Sequence, residues 1–191
     1  MEKIRCDWAQ GNELEEKYHD EEWGTAEHDD QKLFEMLILE SMQAGLSWST
    51  ILKKRETLTS AYDQFDYVKI AEYTQEKIDS LLEDPGIIRN KLKINATINN
   101  AQVFMRIQEE YGSFDRFIWA YVDGKPIKNR WKDVKEVPAS TELSDKISKE
   151  LKKKGFKFLG TTTVYAFMQA TGMVDDHLAH CFKSHDEVIS H

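Results

Sequence analysis

Four residues near the two ends of the chain are of the types that hold a borderline metal. Cys6 and His19 lie 13 positions apart, and His177 and Cys181 lie four apart. Asp175 can cap a short helix through Cys181, and a spacing of four would then put His177 and Cys181 on one face of it. His180 neighbours the pair but points off that face. Two thiolates and two imidazoles suit tetrahedral zinc, and a shell of four protein ligands leaves no open position for chemistry. Such a site would act as a staple, closing a loop of about 170 residues and adding binding energy to the folded state. The same residues also read as two ordinary buried thiols and two unrelated histidines.

A second group is aromatic. Trp8, Tyr18, Trp23 and Trp48 fall within the first 48 residues, around Glu40. Glu40 shares a helical stripe with Leu33, Met36 and Leu37, where an unpaired charge would cost several kcal/mol. A carboxylate under aromatic walls is a receptor for a flat cation: ring faces attract the charge, and the carboxylate accepts from exocyclic amines. These aromatics also read as plain core, with Glu40 capping a neighbouring helix.

A third group is the run from Leu81 to Lys91, which reads as helix, tight Asp84-Pro85-Gly86 turn, helix. Exposed N–H groups at such a turn and at the following helix start make an anion site, and Arg89, Lys91 and Lys93 add charge beside it. Contacts of this kind position a protein on DNA without reading sequence. An ordinary interhelical turn fits the same residues.

The elements that must carry these groups read as almost wholly helical. Apolar spacing predicts helices over Gln31–Ala44, from Thr74 to about Leu82, and from about Arg89 to Glu110. Ser113 can cap a helix containing Phe117, Ile118 and Tyr121. Ser144 can start one that ends at Gly155, with three lysines in its last turn, and another spans about Thr162–Thr171 before Gly172. Residues 123–139 read as an irregular basic loop. No alternating run is long enough for a sheet, so the fold class is all-α.

Composition bounds the rest. With 191 residues, 40% hydrophobic, the chain can bury a core, and one domain is expected. Two cysteines make no disulfide framework. The N-terminus has no apolar run, and the uncharged stretch Phe158–Val174 carries Thr, Gln and Gly, so a soluble cytoplasmic protein without membrane contact is expected. The net charge of −8 speaks against nucleic acid, but it is unevenly spread. Residues 1–45 carry 4 basic and 13 acidic side chains, whereas residues 86–158 carry 16 and 9. That polarity allows a basic face on an acidic body, or simply a set of solvated helix faces.

Taken together the motifs resemble the 3-methyladenine DNA glycosylase I family of helix-hairpin-helix base-excision enzymes. The matching stretches are Cys6-Asp7-Trp8, Tyr18-His19-Asp20, Glu22-Trp23-Gly24, Leu33-Phe34-Glu35 and Gln43-Ala44-Gly45-Leu46-Ser47-Trp48 leading into Leu52-Lys53-Lys54-Arg55. Further matches are Gly86-Ile87-Ile88-Arg89-Asn90, Lys154-Gly155-Phe156-Lys157-Phe158, Gly160-Thr161 and Asp176-His177.

The resemblance implies a helix-hairpin-helix bundle in one glycosylase unit spanning 1–191. Its termini, about 1–30 and 160–191, would be stapled by zinc on a central region of about 46–158. Cys6, His19, His177 and Cys181 would hold one structural Zn²⁺. Trp8, Tyr18, Glu40 and Trp48 would line a base pocket with Trp23 beside it, and Glu40 would be the residue nearest to catalysis. Gln43 and Leu46 would enter the space left by a flipped nucleotide, and Gly86, Ile88, Arg89 and Lys91 would contact the DNA backbone. The tail Phe182–His191 matches no family pattern. The partners implied are double-stranded alkylated DNA and free 3-methyladenine as product, handled by a monomer.

The implied chemistry is mild. N3-methylation puts positive charge on the purine, so breaking the glycosidic bond neutralises the leaving base and no protonation is required. No Asp occurs between Pro85 and Ser113, the next being Asp115, which fits a substrate already activated. No Lys is placed by motif as a nucleophile, so a monofunctional enzyme is expected. Two other readings compete: a non-catalytic, zinc-stabilised sensor of alkylated DNA, and a zinc hydrolase with an open metal site.

Overall fold

The computed structural model describes residues 2–185; Met1 and the end of the tail, 186–191, lie outside the described residues. Among the described residues the chain forms nine α-helices: α1 (Glu13–Glu21), α2 (Asp30–Met42), α3 (Trp48–Ala61), α4 (Tyr67–Ala71), α5 (Gln75–Glu83), α6 (Lys91–Tyr111), α7 (Phe114–Trp119), α8 (Glu142–Lys154) and α9 (Thr161–Ala170). The mostly helical architecture agrees with the expectation.

Local chemistry explains the helix starts. Asn12, Asp29, Ser47, Thr74, Asn90, Ser113 and Thr141 each accept a backbone N–H from the first turn of the helix that follows. At α8 the sequence pointed to Ser144, but Thr141 is the cap. Ser144 is the residue three positions on, and its hydroxyl receives the N–H of Thr141 in a capping box. Helices α1, α3 and α4 were not anticipated.

Helix α2 is the centre of the molecule, packed against α3, α6, α7 and α9. The spacing predicted one apolar stripe, whereas every residue from Leu33 to Met42 is buried. Its polar residues are therefore buried too, and each must be accounted for. Ser41 donates to the carbonyl of Ile38 at 2.7 Å, and Glu35 meets Arg55 and Lys32, both at 3.5 Å. Glu40 has no such partner among the described residues.

The C-terminal arm corrects one expectation. Val174–Asp175 (β2) forms a two-residue parallel pair with Ile127–Lys128 (β1), inside the segment read as an irregular loop. The backbone of Asp175 is held extended by that pairing, with Asn129 N–H donating to its carbonyl at 2.9 Å. Extended backbone alone would still suit a cap, but the N–H groups that a helix would use are taken from outside it, Leu178 N–H by Cys6 Sγ at 3.3 Å and Ala179 N–H by the Trp131 carbonyl at 2.8 Å, so the stretch after Asp175 is irregular with a turn at Ala179 and His180. Asp175 instead accepts the backbone N–H of His177 at 3.2 Å. Gly172, which closes α9, has φ +75°; a Cβ there would sit 2.5 Å from the backbone of Thr25 and Ala26.

Candidate active site

The aromatic residues converge. Trp8 sits in a short 3-10 turn, Tyr18 on α1, Trp23 just beyond α1, Glu40 in the last turn of α2 and Trp48 at the first position of α3. All five line one cavity of about 320 Å³, within the range of small-ligand pockets. Trp8 meets Trp23 edge-on at 5.1 Å between centroids, and Tyr18 is tilted against Trp48 at 5.3 Å. Arg55 of α3 fixes this wall, with two 2.7 Å bonds to Glu22 beside Trp23.

The cavity carries three polar groups with nothing to bond. The Tyr18 hydroxyl and the Trp48 indole N–H are buried without partners. The Glu40 carboxyl is 5% exposed and receives no hydrogen bond among the described residues. Burial alone pushes its pKa up to about 8. Burial first, and then the Glu40 charge, push the Tyr18 phenol well above its ordinary range, so it stays a neutral donor. Two donors and one unpartnered acid among ring faces match a flat ligand with amine and acceptor edges.

Other lining residues were not foreseen: Glu15, Val134, Val137, Ala166, Gln169, Asp176 and Leu178; Gln43, expected to enter the duplex, also lines the cavity. Val134 and Val137 come from the basic segment and carry no periodic signal. Asp176 is buried and saturated. It accepts from Asn129 at 2.8 Å, Trp131 at 3.0 Å, Gln169 at 2.8 Å and the Tyr165 hydroxyl. Asp115 lies outside the lining and bonds His28 Nδ1 at 2.7 Å.

Behind the aromatic wall, ligand atoms of Cys6, His19 and Cys181 lie within 4.8 Å of one another. His19 Nε2 is 3.3 Å from Cys181 Sγ. A hydrogen bond from Cys6 pulls the Cys181 thiol down to about 4, against burial and with help from His19. His177 is not within that group, but its ring centroid is 5.0 Å from that of His19 and its buried Nε2 has no partner. Each imidazole binds a carboxylate through Nδ1: His19 to Asp20 at 2.9 Å and His177 to Asp175 at 2.7 Å. That pairing leaves each Nε2 free, and turns that of His19 toward Cys181, as in metal sites whose histidines are oriented by acids. The residues present fit a metal. His180 points elsewhere, to Asp7 at 3.1 Å. Gly24 is required beside the cluster: a Cβ there would lie 2.4 Å from the His177 ring.

The turn between α5 and α6 is separate from the pocket, and none of Gly86, Ile88, Arg89 or Lys91 lines the cavity. Asp84 Oδ1 takes the Gly86 N–H at 2.8 Å, and Thr57 of α3 donates to the Gly86 carbonyl. Asn90 caps Lys93 N–H at 3.2 Å, so the N–H groups of Lys91 and Leu92 remain without a partner in the helix. Arg89, Asn90, Lys91 and Leu92 are exposed, while Ile88 is half-buried. The loop after α2 is exposed at Ala44, Gly45 and Leu46.

Residues 8–184 match the family described as methyladenine glycosylase. This chain belongs to that family. It is 48% identical to a DNA-3-methyladenine glycosylase of Haemophilus influenzae (strain ATCC 51907 / DSM 11121 / KW20 / Rd), over 93% of this chain and 96% of the relative. It is 47% identical to DNA-3-methyladenine glycosylase 1 of Escherichia coli (strain K12), over 93% and 95%. Among solved structures, a Tyr-to-Phe variant of 3-methyladenine DNA glycosylase I in complex with 3-methyladenine superposes with a TM-score of 0.91. It shares 38% identity, covering 94% of this chain and 97% of that one.

For this methyladenine glycosylase, the structure brings together Trp8, Tyr18, Trp23, Glu40, Gln43 and Trp48 at one cavity, and Cys6, His19 and Cys181 at one cluster. Leu46 and the turn residues stand apart from both.

Proposed function

We propose that this chain is a DNA repair glycosylase that draws N3-methyladenine out of alkylated duplex DNA and hydrolyses its N-glycosidic bond. The observation that carries the reading is the unpartnered Glu40 carboxyl at the floor of an aromatic cavity. Support comes from the identity to curated DNA-3-methyladenine glycosylases and the likeness to a relative solved with 3-methyladenine.

In the unliganded pocket Glu40 is neutral near pH 7, since its pKa stands at about 8. A flipped N3-methylpurine supplies the missing positive charge, so Glu40 ionises as the base enters and accepts from the exocyclic amine. The rings of Trp8, Tyr18 and Trp48 face the cation. The C1′–N9 bond then breaks with its electron pair moving to the base, which leaves as neutral 3-methyladenine. Water adds hydroxide at C1′ and gives its proton to solvent, leaving an abasic site. Neither of the other lining acids competes for this role: Asp176 is saturated, and Glu15 bonds the cap residue Asn12 at 3.1 Å. A preference for the cationic base that fades as the bond breaks makes the enzyme selective rather than strongly accelerating.

The same reading assigns the supporting parts. Cys6, His19, His177 and Cys181 hold one structural zinc, which when bound ties the termini together and steadies the wall formed by Trp8 and Trp23. The α5–α6 turn is the hairpin of a helix-hairpin-helix, gripping phosphate through Gly86, Ile88, Arg89, Lys91 and the start of α6. Gln43 and Leu46 enter the duplex. The whole chain works as one monomeric unit in the cytoplasm; among the described residues no helix is long and apolar enough to cross a membrane.

The test is incubation with methylated duplex DNA followed by chromatography of released purines. Free 3-methyladenine with matching abasic sites is expected. Binding without release would mark a non-catalytic sensor, and borohydride trapping of a covalent adduct would overturn the monofunctional assignment.

A further inference from the structure

Lys93 is the third residue of α6, directly after the hairpin turn, yet its side chain does not join the exposed basic edge. It is 8% exposed, and its ammonium donates at 2.8 Å to the carbonyl of Met42 and at 2.7 Å to the carbonyl of Ala44. Those carbonyls close α2 and open the loop that carries Gln43 and Leu46. Helix α2 has no basic residue in its own last turn, so the cation that complements its negative end comes from 51 positions along the chain. The backbone of Lys93 is tied as well: Asn90 caps its N–H, and the Thr97 hydroxyl donates to its carbonyl at 2.8 Å.

The loop has few other restraints. Leu46 N–H donates to the Gln43 carbonyl at 2.7 Å, and Ser47 caps α3 at the far end. Gly45 has φ +79°, with nothing within 4 Å of the position a Cβ would take. Lys93 is thus the link between the element that would hold phosphate and the loop that would enter the stack. Burying an ammonium on two neutral carbonyls is costly, and that burial lowers its pKa. An apolar side chain would fill the same space without that cost. What the ammonium adds is geometry.

We propose that Lys93 is a positioning residue for base extrusion: it locks the Gln43–Leu46 loop to the hairpin, so that gripping the backbone aims the loop into the duplex. Lys93 touches neither base nor sugar. The inference rests on the glycosylase reading above and on the placement of that loop.

The experiment compares wild type with Lys93→Met and the milder Lys93→Gln, which keeps one donor, after thermal melts confirm folding. Three quantities are read: single-turnover release of 3-methyladenine from methylated duplex, the same release from methylated single strands, and affinity for the free base. Extrusion is needed only in the duplex. Lys93→Met should lose roughly 10- to 100-fold on duplex while its single-strand rate and free-base affinity stay within about twofold, and Lys93→Gln should fall between. An equal loss on both DNA forms, or an unchanged duplex rate in either variant, would overturn the proposal. Failure of wild type to release any base would instead overturn the glycosylase reading, independently of Lys93.

Discussion

Two ionisable side chains of opposite type are buried at the same end of α2, and the protein treats them differently. Lys93 is met by two carbonyls, whereas Glu40, at a similar depth, is met by nothing. A buried cation held by two carbonyls is part of the scaffold. A buried acid with no partner ionises for a ligand of opposite charge, and here the ring faces around it favour the same ligand. Reading burial alone would have ranked the two alike; the count of partners separates them.

The largest expected effect tests the proposed zinc staple at a third buried group, Cys181, whose sulfur lies 3.3 Å from His19 Nε2. Cys181→Ser, or stripping of zinc by chelator, should lower folding stability by on the order of several kcal/mol, read by denaturant melts alongside metal content. An unchanged midpoint after complete metal loss would break the staple. Next, Glu40→Gln should weaken binding of duplex carrying the cationic N3-methyladenine nucleotide by roughly 10- to 100-fold, because a charge-assisted bond becomes a neutral one. Unchanged affinity would remove Glu40 from the pocket's chemistry and with it the contrast to Lys93.

A third expectation concerns pH. With its folded pKa at about 8, Glu40 must lose a proton to pair with the permanently cationic nucleotide below that pH. The preference for N3-methyladenine duplex over undamaged duplex should therefore rise with pH and level off above about 8, with a slope of at most about tenfold per pH unit. The same raised pKa means the folded chain holds this proton more tightly than the unfolded one. Its contribution to stability is full below the ordinary carboxyl range and is lost as pH climbs to about 8. Glu40→Gln should abolish both trends. The smallest effect is at the exposed edge. Arg89→Ala or Lys91→Ala should weaken binding to damaged and undamaged DNA alike by a few-fold and reduce the log–log salt slope by about 0.9 per lost phosphate contact. A change confined to damaged DNA would contradict the backbone role.

Much of this was legible in residue types. The Cys and His residues, the aromatic cluster and Glu40 were picked out by type and spacing, although plain core fitted them too until the family motifs were added; the structure gathers the aromatics and Glu40 at one cavity and Cys6, His19 and Cys181 in one cluster. The turn at Pro85-Gly86 and the caps at Thr74 and Ser113 were visible for the same local reasons. What the sequence hid was set by distant partners. The helix expected from Asp175 to Cys181 is absent because the N–H groups of Leu178 and Ala179 go to Cys6 and Trp131, partners far away in the chain. Helix α1 was missed because Glu13–Glu21 is mostly charged, and its burial rests on Tyr18 and His19. Val134 and Val137 line the cavity from an irregular segment where no period could point to them. Lys93 left one faint trace: lysines in the first turn of a helix oppose its dipole, so two of them at the start of α6 ask for an outside reason.

Trp23 stands edge-on to His177 at 4.8 Å and nearly parallel to His19 at 6.2 Å, while it and Trp8 also face the cavity. Three of the five indoles in the chain therefore border the cavity, and two of those lean on the imidazoles behind it. Ultraviolet emission will register both ligand entry and changes at the thiol–imidazole cluster. The protein needs no added dye to be titrated, but any such titration must hold metal content fixed before its signal is assigned to the base.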